Sequence, residues 1–436
     1  MTPWRRRLDG LPKLRPIASN LGWLIGDQIV RLGVSLVIGV LTARYLGPER
    51  FGMLNYALAI VGIFSALSAL GLDGIVVREI VKGRTPEPQI LGTAFALQLA
   101  GGASAVVLAN VTAAYLRPND PLILALVAAA SLGGLVYAFN VIDLWFRSQV
   151  QSKHVVHAKA VAFLVSAAVK LAAIKLEAPL KTFAWIATLE LGMAAAALAI
   201  AYRRAQGRMI QWRVNGGQAK ALLTDCWPLV FSGLAIMIYM KIDQVMLGHL
   251  VDSHEVGLYA VASRLASAGQ FLPMAIASST LPSVIAARAG GDESAFHTHM
   301  QRLYNIAAFS GYVVAISWTL TAKPLIGVLF GPSYAGSAHI LIVLAWGGLF
   351  THLGVARTSY LTAMNWTRAH FLTVALGCVL NVTLNLLLIP RYGGMGAAAA
   401  SLGASWFAAH GTCFVYQPLF RTGRMLTRAL LFPKFW

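Results

Sequence analysis

Charge is what this chain has least of. Of its 436 residues only 12% are charged and 16 are acidic, while 58% are hydrophobic. A soluble domain carries about twice that charged share. Too little polar surface remains to coat a globule in water, which argues against a soluble enzyme. Cysteine is almost as scarce. Cys226, Cys378 and Cys413 stand apart in apolar surroundings, without CxxC or Cys/His spacing. No disulfide framework or zinc site is expected, and the three read as inert packing residues. Strand-like alternation is missing, so a β-barrel is not expected. No P-loop, GxGxxG, HExxH or nucleophile elbow occurs. ATP-driven transport by this chain alone is therefore disfavoured, and neither a metal nor an organic cofactor is implied.

Long apolar runs dominate what is present. A helix needs roughly 20 mostly apolar residues to cross the hydrocarbon layer. Twelve runs qualify: 21–43, 53–72, 91–115, 122–143, 158–176, 182–202, 227–248, 257–286, 301–321, 339–361, 369–389 and 395–416. The longest connections, 73–90 and 203–226, are too short to fold as domains. Arg5, Arg6, Arg7, Lys13 and Arg15 precede the first run like the basic region of a signal peptide. That run is long and contains Asp27 and Arg31, so it reads as a retained first helix.

The excess of 35 Lys and Arg over 16 Asp and Glu gives a formal charge of +19. With the N-terminus placed inside, 22 cations fall in inside segments, 6 in outside loops and 7 within the runs. This is the asymmetry of a multi-pass membrane protein with both termini cytoplasmic. It also leaves no reason to invoke nucleic acid.

The most basic loop divides six runs from six. The stretch from Leu46 to Ala57 is similar to that from Val251 to Ala260: an acidic residue, a hydrophobe, a glycine, then a Tyr-containing helix start. Six spans per half make the halves parallel repeats, an arrangement of transporters with a site between lobes at mid-depth. The expected organisation is an all-α membrane protein with a six-helix lobe over 1–210, a linker over 211–226, a second six-helix lobe over 227–417, and a basic cytoplasmic tail over 418–436.

A charge inside a span costs about 2.5–3.5 kcal/mol on insertion scales, so each one needs a reason. Lys159 and Lys175 lie near span ends and are expected to snorkel. Arg357 lies one turn from the cytoplasmic end. Arg31, Lys170, Lys241 and Arg264 are deeper. Arg31 has Asp27 at i−4, either as an intrahelical ion pair or as a cavity cation beside a titratable carboxylate. Arg264 opens a polar stripe with Ser267 and Gln270. Lys241 and Asp243 lie about 200° apart on a helix and cannot both face one cavity. Lys170 and Glu190 are placed to pair. Asn381 and Asn385 are expected to form interhelical hydrogen bonds, and Gly22xxxGly26 reads as helix packing. Trp227, Trp346, Trp366 and Trp406 fit an interfacial belt or a sugar-stacking role. A net-positive cavity suits an anionic ligand, since Arg grips phosphate oxygens bidentately and Lys adds a point charge.

The run Asn20–Trp23 through Ala43-Arg44-Tyr45-Leu46-Gly47-Pro48-Glu49-Arg50-Phe51-Gly52 resembles the opening of the polysaccharide-biosynthesis flippases. These form the Wzx-type, O-antigen branch of the multidrug/oligosaccharidyl-lipid/polysaccharide (MOP) exporter superfamily. Trp227-Pro228-Leu229 with Ile236–Gly248 and Glu255-Val256-Gly257-Leu258-Tyr259 is similar to the same family. So is Asn381–Asn385 through Pro390-Arg391-Tyr392-Gly393 to Gly396-Ala397-Ala398. The resemblance covers nearly the whole chain and implies two six-helix lobes in a V. It also implies flipping of an undecaprenyl-pyrophosphate-linked oligosaccharide across a bacterial inner membrane by alternating access, coupled to H⁺ or Na⁺. Arg31 and Arg264 occupy places like cavity arginines of lipid II flippase relatives, with Lys241 or Arg357 assisting. Asp27 is similar in placement to the first-span carboxylate of multidrug relatives. A monomer working beside polysaccharide polymerase or ligase machinery is the implied setting. The rival readings are a multidrug cation antiporter of the same fold and, from another class, a membrane glycosyltransferase or polymerase.

Overall fold

The computed structural model describes residues 14–205, 209–290 and 292–432. Among the described residues every regular element is a helix. They are α1 (Leu14–Ala69), α2 (Asp73–Lys82), α3 (Glu87–Leu116), α4 (Pro121–Ser131), α5 (Gly133–Val136), α6 (Val141–Ser148), α7 (Ser152–Lys175) and α8 (Leu180–Ala205). After these come α9 (Gly216–Leu250), α10 (Ser253–Ala268), α11 (Phe271–Ala289), α12 (Glu293–Phe330), α13 (Ser337–Ala363), α14 (Thr367–Trp406), α15 (Thr412–Val415) and α16 (Phe420–Leu431).

Nine helical stretches among the described residues are long and apolar enough to cross a membrane. Two are far longer than one crossing. Arg31–Lys82 has 52 residues and Arg368–Val415 has 48, which at 1.5 Å per residue is ~78 Å and ~72 Å. Each is broken by a glycine. Gly47 has φ 69° and ψ 169°, with Pro48 directly behind it. Gly393 has φ 54° and ψ −133°, three residues after Pro390. Positive φ is cheap only for glycine, so these positions end one helix and start the next. The run expected over 257–286 is not one helix. It stops at Ala268, capped by Gly269, and restarts at Phe271.

Two segments outside the expected spans are helical. α2 lies inside the expected 73–90 loop and is amphipathic, burying Ile75, Val76 and Ile80. α16 lies in the expected basic tail. It buries Thr422, Gly423, Leu426 and Ala429 and exposes Arg421, Arg424 and Arg428. Gln301 Nε2 donates to the carbonyl of Met425 at 3.1 Å and Tyr312 Oη to that of Leu430 at 3.1 Å, seating this helix on α12. α9 begins at Gly216, so the second part of segment 211–226 is helix.

The chain packs as two units, residues 1–45 with 60–234 and residues 46–59 with 235–436. In the first unit, Tyr45 Oη donates to the carbonyl of Ala178 at 3.0 Å and its ring meets Phe183. The segments carrying the basic connections meet one another. Trp145 Nε1 donates to Glu87 at 2.8 Å and stacks edge-on against Tyr202, Arg213 N donates to the carbonyl of Pro88 at 3.2 Å, and Arg78 pairs with Asp225. A core of Leu72, Ile90, Leu91, Ile142 and Phe146 backs this end.

In the second unit the two similar stretches face each other. A Cβ on Gly52 would lie 2.9 Å from Gly257 N and inside the shell of the Ser253 carbonyl. A Cβ on Gly257 would lie 2.8 Å from Pro48 C. Only glycine permits this backbone-to-backbone approach. Glu255 accepts from Gly394 N at 2.6 Å, Ser337 Oγ donates to the carbonyl of Leu258 at 2.8 Å, and Phe51 meets Tyr334 edge-on. Connections assigned to one side of the membrane by sequence are thus packed together.

Candidate functional site

α7 carries Lys159, Phe163, Ser166 and Lys170 at spacings of four, three and four, which puts them on one helix face. Each meets a partner in the first unit. Lys159 Nζ donates to Asp143 Oδ2 at 2.6 Å and Asn140 Oδ1 at 3.2 Å. Asp143 is 1% exposed and also takes Arg147 Nε at 2.8 Å. Lys159 therefore holds a buried carboxylate and does not reach for headgroups, contrary to the snorkelling expected of it. Ser166 Oγ at 2.7 Å and Lys170 Nζ at 3.2 Å both donate to Glu190, the pairing the sequence suggested. The Arg31 guanidinium lies 5.2 Å from the centre of the Phe163 ring. A cation over a ring face in low dielectric gains ~0.5–2 kcal/mol. Arg31 thus stands beside a stripe whose lysines are already matched by acids. For residues 14–30 the backbone alone is described, so the surroundings of Asp27 and of the Gly22/Gly26 pair lie outside the description.

The second unit is arranged differently. Asp243 is buried and held by neutral donors. Asn385 Nδ2 reaches Oδ1 at 2.6 Å, while Tyr259 Oη and Ser401 Oγ donate to Oδ2. Asn385 also donates to Asn381 Oδ1 at 3.2 Å. The asparagine pair makes the interhelical bonds expected of it, with a partner that sequence did not reveal. Among the described acids of the expected spans, Asp143 and Glu190 are tied to cations, whereas Asp243 contacts hydroxyl and amide groups.

Lys241, two residues away, points elsewhere, as the helical geometry required. It is partly buried, and its electrostatic neighbour is Arg264, a like charge. The stripe expected beyond Arg264 is shorter than read. Ser267 is exposed, with its hydroxyl bonded back to Ser263 O at 2.7 Å. Gln270 falls past the end of α10 in the Gly269–Gln270 break and does not continue the helix face.

Arg357, expected to assist at the anion, turns into the interior of the second unit. It is 3% exposed and donates to Thr412 Oγ1 at 2.9 Å and Thr373 Oγ1 at 2.8 Å. The belt residues divide. Trp227 and Trp406 are exposed, Trp366 packs on the core of the second unit, and Trp346 Nε1 donates to Thr319 at 3.3 Å.

A profile of the polysaccharide biosynthesis protein family matches residues 17–287, well over half the chain, and a MatE profile matches residues 228–387. Among curated proteins, the chain is 27% identical over 39% of its length to the probable flippase AglR of Haloferax volcanii, covering 36% of that protein. It is 24% identical over 42% of its length to the probable low-salt glycan biosynthesis flippase Agl15 of the same organism, covering 39% of it. The capsular polysaccharide biosynthesis protein CapF of Staphylococcus aureus is 23% identical over 48% of this chain and 53% of its own. The matches thus span about a third to a half of these relatives.

Solved structures share the fold over almost the whole length. An inward-facing multidrug resistance MATE family transporter of the MOP superfamily aligns with TM-score 0.70 at 16% identity, over 92% of this chain and 95% of that one. The lipid II flippase MurJ, in an inward closed conformation, aligns with TM-score 0.69 at 13% identity, over 94% and 91%.

Proposed function

Because the chain belongs to the polysaccharide biosynthesis protein family of the MOP superfamily, we propose that it is a flippase for a lipid-linked glycan. The observation that carries this reading is the family match over residues 17–287, with probable flippases among the relatives. An anionic linkage between lipid and sugar suits the excess of cations over acids within the expected spans. In this reading Arg264 and Lys241 take phosphate oxygens, with Ser267 beside them, and Arg31 contributes from the first half of the chain. The carrier is undecaprenyl pyrophosphate, the lipid tail stays in the bilayer, and the glycan crosses a cytoplasmic membrane by alternating access. The chain crosses twelve times with both ends inside. That count treats Gly47 and Gly393 as turns and α10 with α11 as one broken crossing. H⁺ or Na⁺ drives the cycle through a carboxylate, either Asp27 or Asp243.

The names of the curated relatives support the substrate class, and the sign of the charge at membrane depth supports it independently. The MatE profile favours one other reading, a multidrug antiporter. Organic cations, however, would be repelled by Lys241 and Arg264.

The test is made in cells lacking the protein. Lipid-linked oligosaccharide is expected to accumulate on the cytoplasmic leaflet while drug sensitivity stays unchanged. Arg264→Ala and Lys241→Ala, at matched protein levels, are expected to restore little surface glycan. Full restoration by both would overturn the residue assignment. Loss of the lipid-linked sugar itself would point to synthesis in place of flipping.

A further inference from the structure

α12 is longer than the layer it crosses. Its 38 residues cover ~57 Å, about twice the hydrocarbon thickness. One of its faces changes character along the way. Thr298, Arg302, Phe309, Val313 and Leu320 are all exposed, and steps of four and seven keep them on a single stripe. The stripe is polar and cationic at its start and apolar from Phe309 onwards. α16 repeats that order. Arg421, Arg424 and Arg428 are exposed, and the apolar Leu431 and Phe432 follow at 68% and 65% exposed. The bonds from Gln301 to Met425 and from Tyr312 to Leu430 lay the two helices in the same sense. Cations therefore meet cations, and apolar ends meet apolar ends.

A groove of about 1190 Å³ runs between the two helices, lined by Thr298, Gln301, Arg302, Arg421, Arg428 and Phe432 among others. Arg424 borders the adjoining hollow. No carboxylate lines either space. Among the described residues none of the four arginines forms an ion pair, unlike Lys159 and Lys170. The acids at this end are already engaged. Asp292 caps α12 through Ala295 N, and Glu293 pairs with Arg288 at 3.5 Å. The arginines are exposed, so an anion reaches them without entering the protein interior. Basic pockets of this kind beside membrane helices suit lipid headgroups.

We propose that the groove between α12 and α16 is a docking site for an anionic phospholipid. Arg302, Arg421 and Arg428 hold the headgroup phosphate, and the acyl chains lie along Phe432 and the apolar part of the α12 stripe. A free phosphate or an acidic polypeptide would match the charge but leave that apolar stripe uncovered. The charge count puts this end inside, so the lipid belongs to the cytoplasmic leaflet. The site requires only that the chain sit in a membrane, and it does not depend on the translocation reading.

The experiment uses the purified full-length protein in neutral detergent, with bound lipid counted by native mass spectrometry. Phosphatidylglycerol and phosphatidylcholine of equal chain length are titrated separately. Saturable retention of phosphatidylglycerol, and not of phosphatidylcholine, is expected. Arg302→Gln/Arg421→Gln/Arg428→Gln is expected to weaken it about a hundredfold, the worth of three cations at a lipid surface. Arg203→Gln/Arg204→Gln/Lys220→Gln removes three exposed cations of the same expected side and is expected to bind like the wild type. Sodium phosphate at constant ionic strength is not expected to displace the lipid. A wild-type structure in phosphatidylglycerol nanodiscs is expected to show a headgroup between α12 and α16, which keeps the test open if a variant fails to fold. Equal retention of both lipids, equal loss in the two triple variants, displacement by inorganic phosphate, or a groove found empty or filled by polypeptide would each overturn the proposal. None of these readings measures flipping, so failure here leaves the transport proposal standing, and the reverse.

Discussion

The approach of Gly52 to Gly257 permits a quantitative test by single methyl groups. In Gly257→Ala the new Cβ meets Pro48 C at 2.8 Å, and in Gly52→Ala it meets Gly257 N at 2.9 Å. Both obstacles are backbone, so no side chain can swing aside, and the segments must separate by roughly an ångström. Overpacking of this kind costs about 1–3 kcal/mol. It is offset by the ~0.5–1 kcal/mol that alanine gains over glycine in a helix. Gly192 supplies the control. It lies within α8, and a Cβ there meets nothing within 4 Å. Gly192→Ala is therefore expected to raise Tm slightly, while Gly52→Ala and Gly257→Ala lower it. The double variant Gly52→Ala/Gly257→Ala should cost less than the sum, because the first methyl opens the gap that the second needs. Thermal unfolding followed through the 11 tryptophans reads all four proteins. If Gly52→Ala and Gly257→Ala are as stable as Gly192→Ala, the close approach of the two stretches is wrong.

Substitutions at Asp243 and at the Lys170–Glu190 pair test the charges within the expected spans. Asp243→Ala strands the Tyr259, Ser401 and Asn385 donors in a buried site and is expected to cost about 3–5 kcal/mol, whereas Asp243→Asn keeps the shape and costs less. Equal stability of the two variants would show that the carboxylate does not organise these helices. Lys170→Met leaves Glu190 without its cation, and a Lys170→Met/Glu190→Gln double variant is expected to recover most of the loss. A double-mutant cycle should give a coupling of about 1–3 kcal/mol, and a value near zero would mean that the 3.2 Å pair contributes nothing.

The helical class was legible because apolar runs of membrane length leave few alternatives. The breaks were less so. Gly47-Pro48 and Pro390 announce themselves, and Gly269-Gln270 has Pro273 three residues on, but it sits in an apolar stretch with no charge between Arg264 and Arg288 to mark the break. Amphipathic α2 and α16 were hidden by their basic residues, which were counted for orientation and not placed on a helix face. At the site, angular arithmetic separated Lys241 from Asp243 correctly, since it depends only on helix geometry. Partners far apart in sequence escaped it. Asp143 closes the fourth apolar run and reads as a boundary, yet it anchors Lys159 16 residues on. Asn385 meets Asp243 across 142 residues, and no local pattern encodes that. The depth of Arg357 was readable, but not the direction it faces.

The division of the chain has a consequence for its dissection. Residues 46–59 pack with 235–436, while 216–234, the first half of α9, packs with the opposite set. Sequence halves and packing units are thus different objects. A polypeptide beginning at Gly216 would carry the seat around Gly248 and Gly257 but not Tyr56, Pro48 and Gly52, which fill it. Its counterpart ending near residue 205 would present that strip of α1 with nothing to cover it. Each half supplies a piece of the other's interior, so the two behave as complementary fragments of one fold.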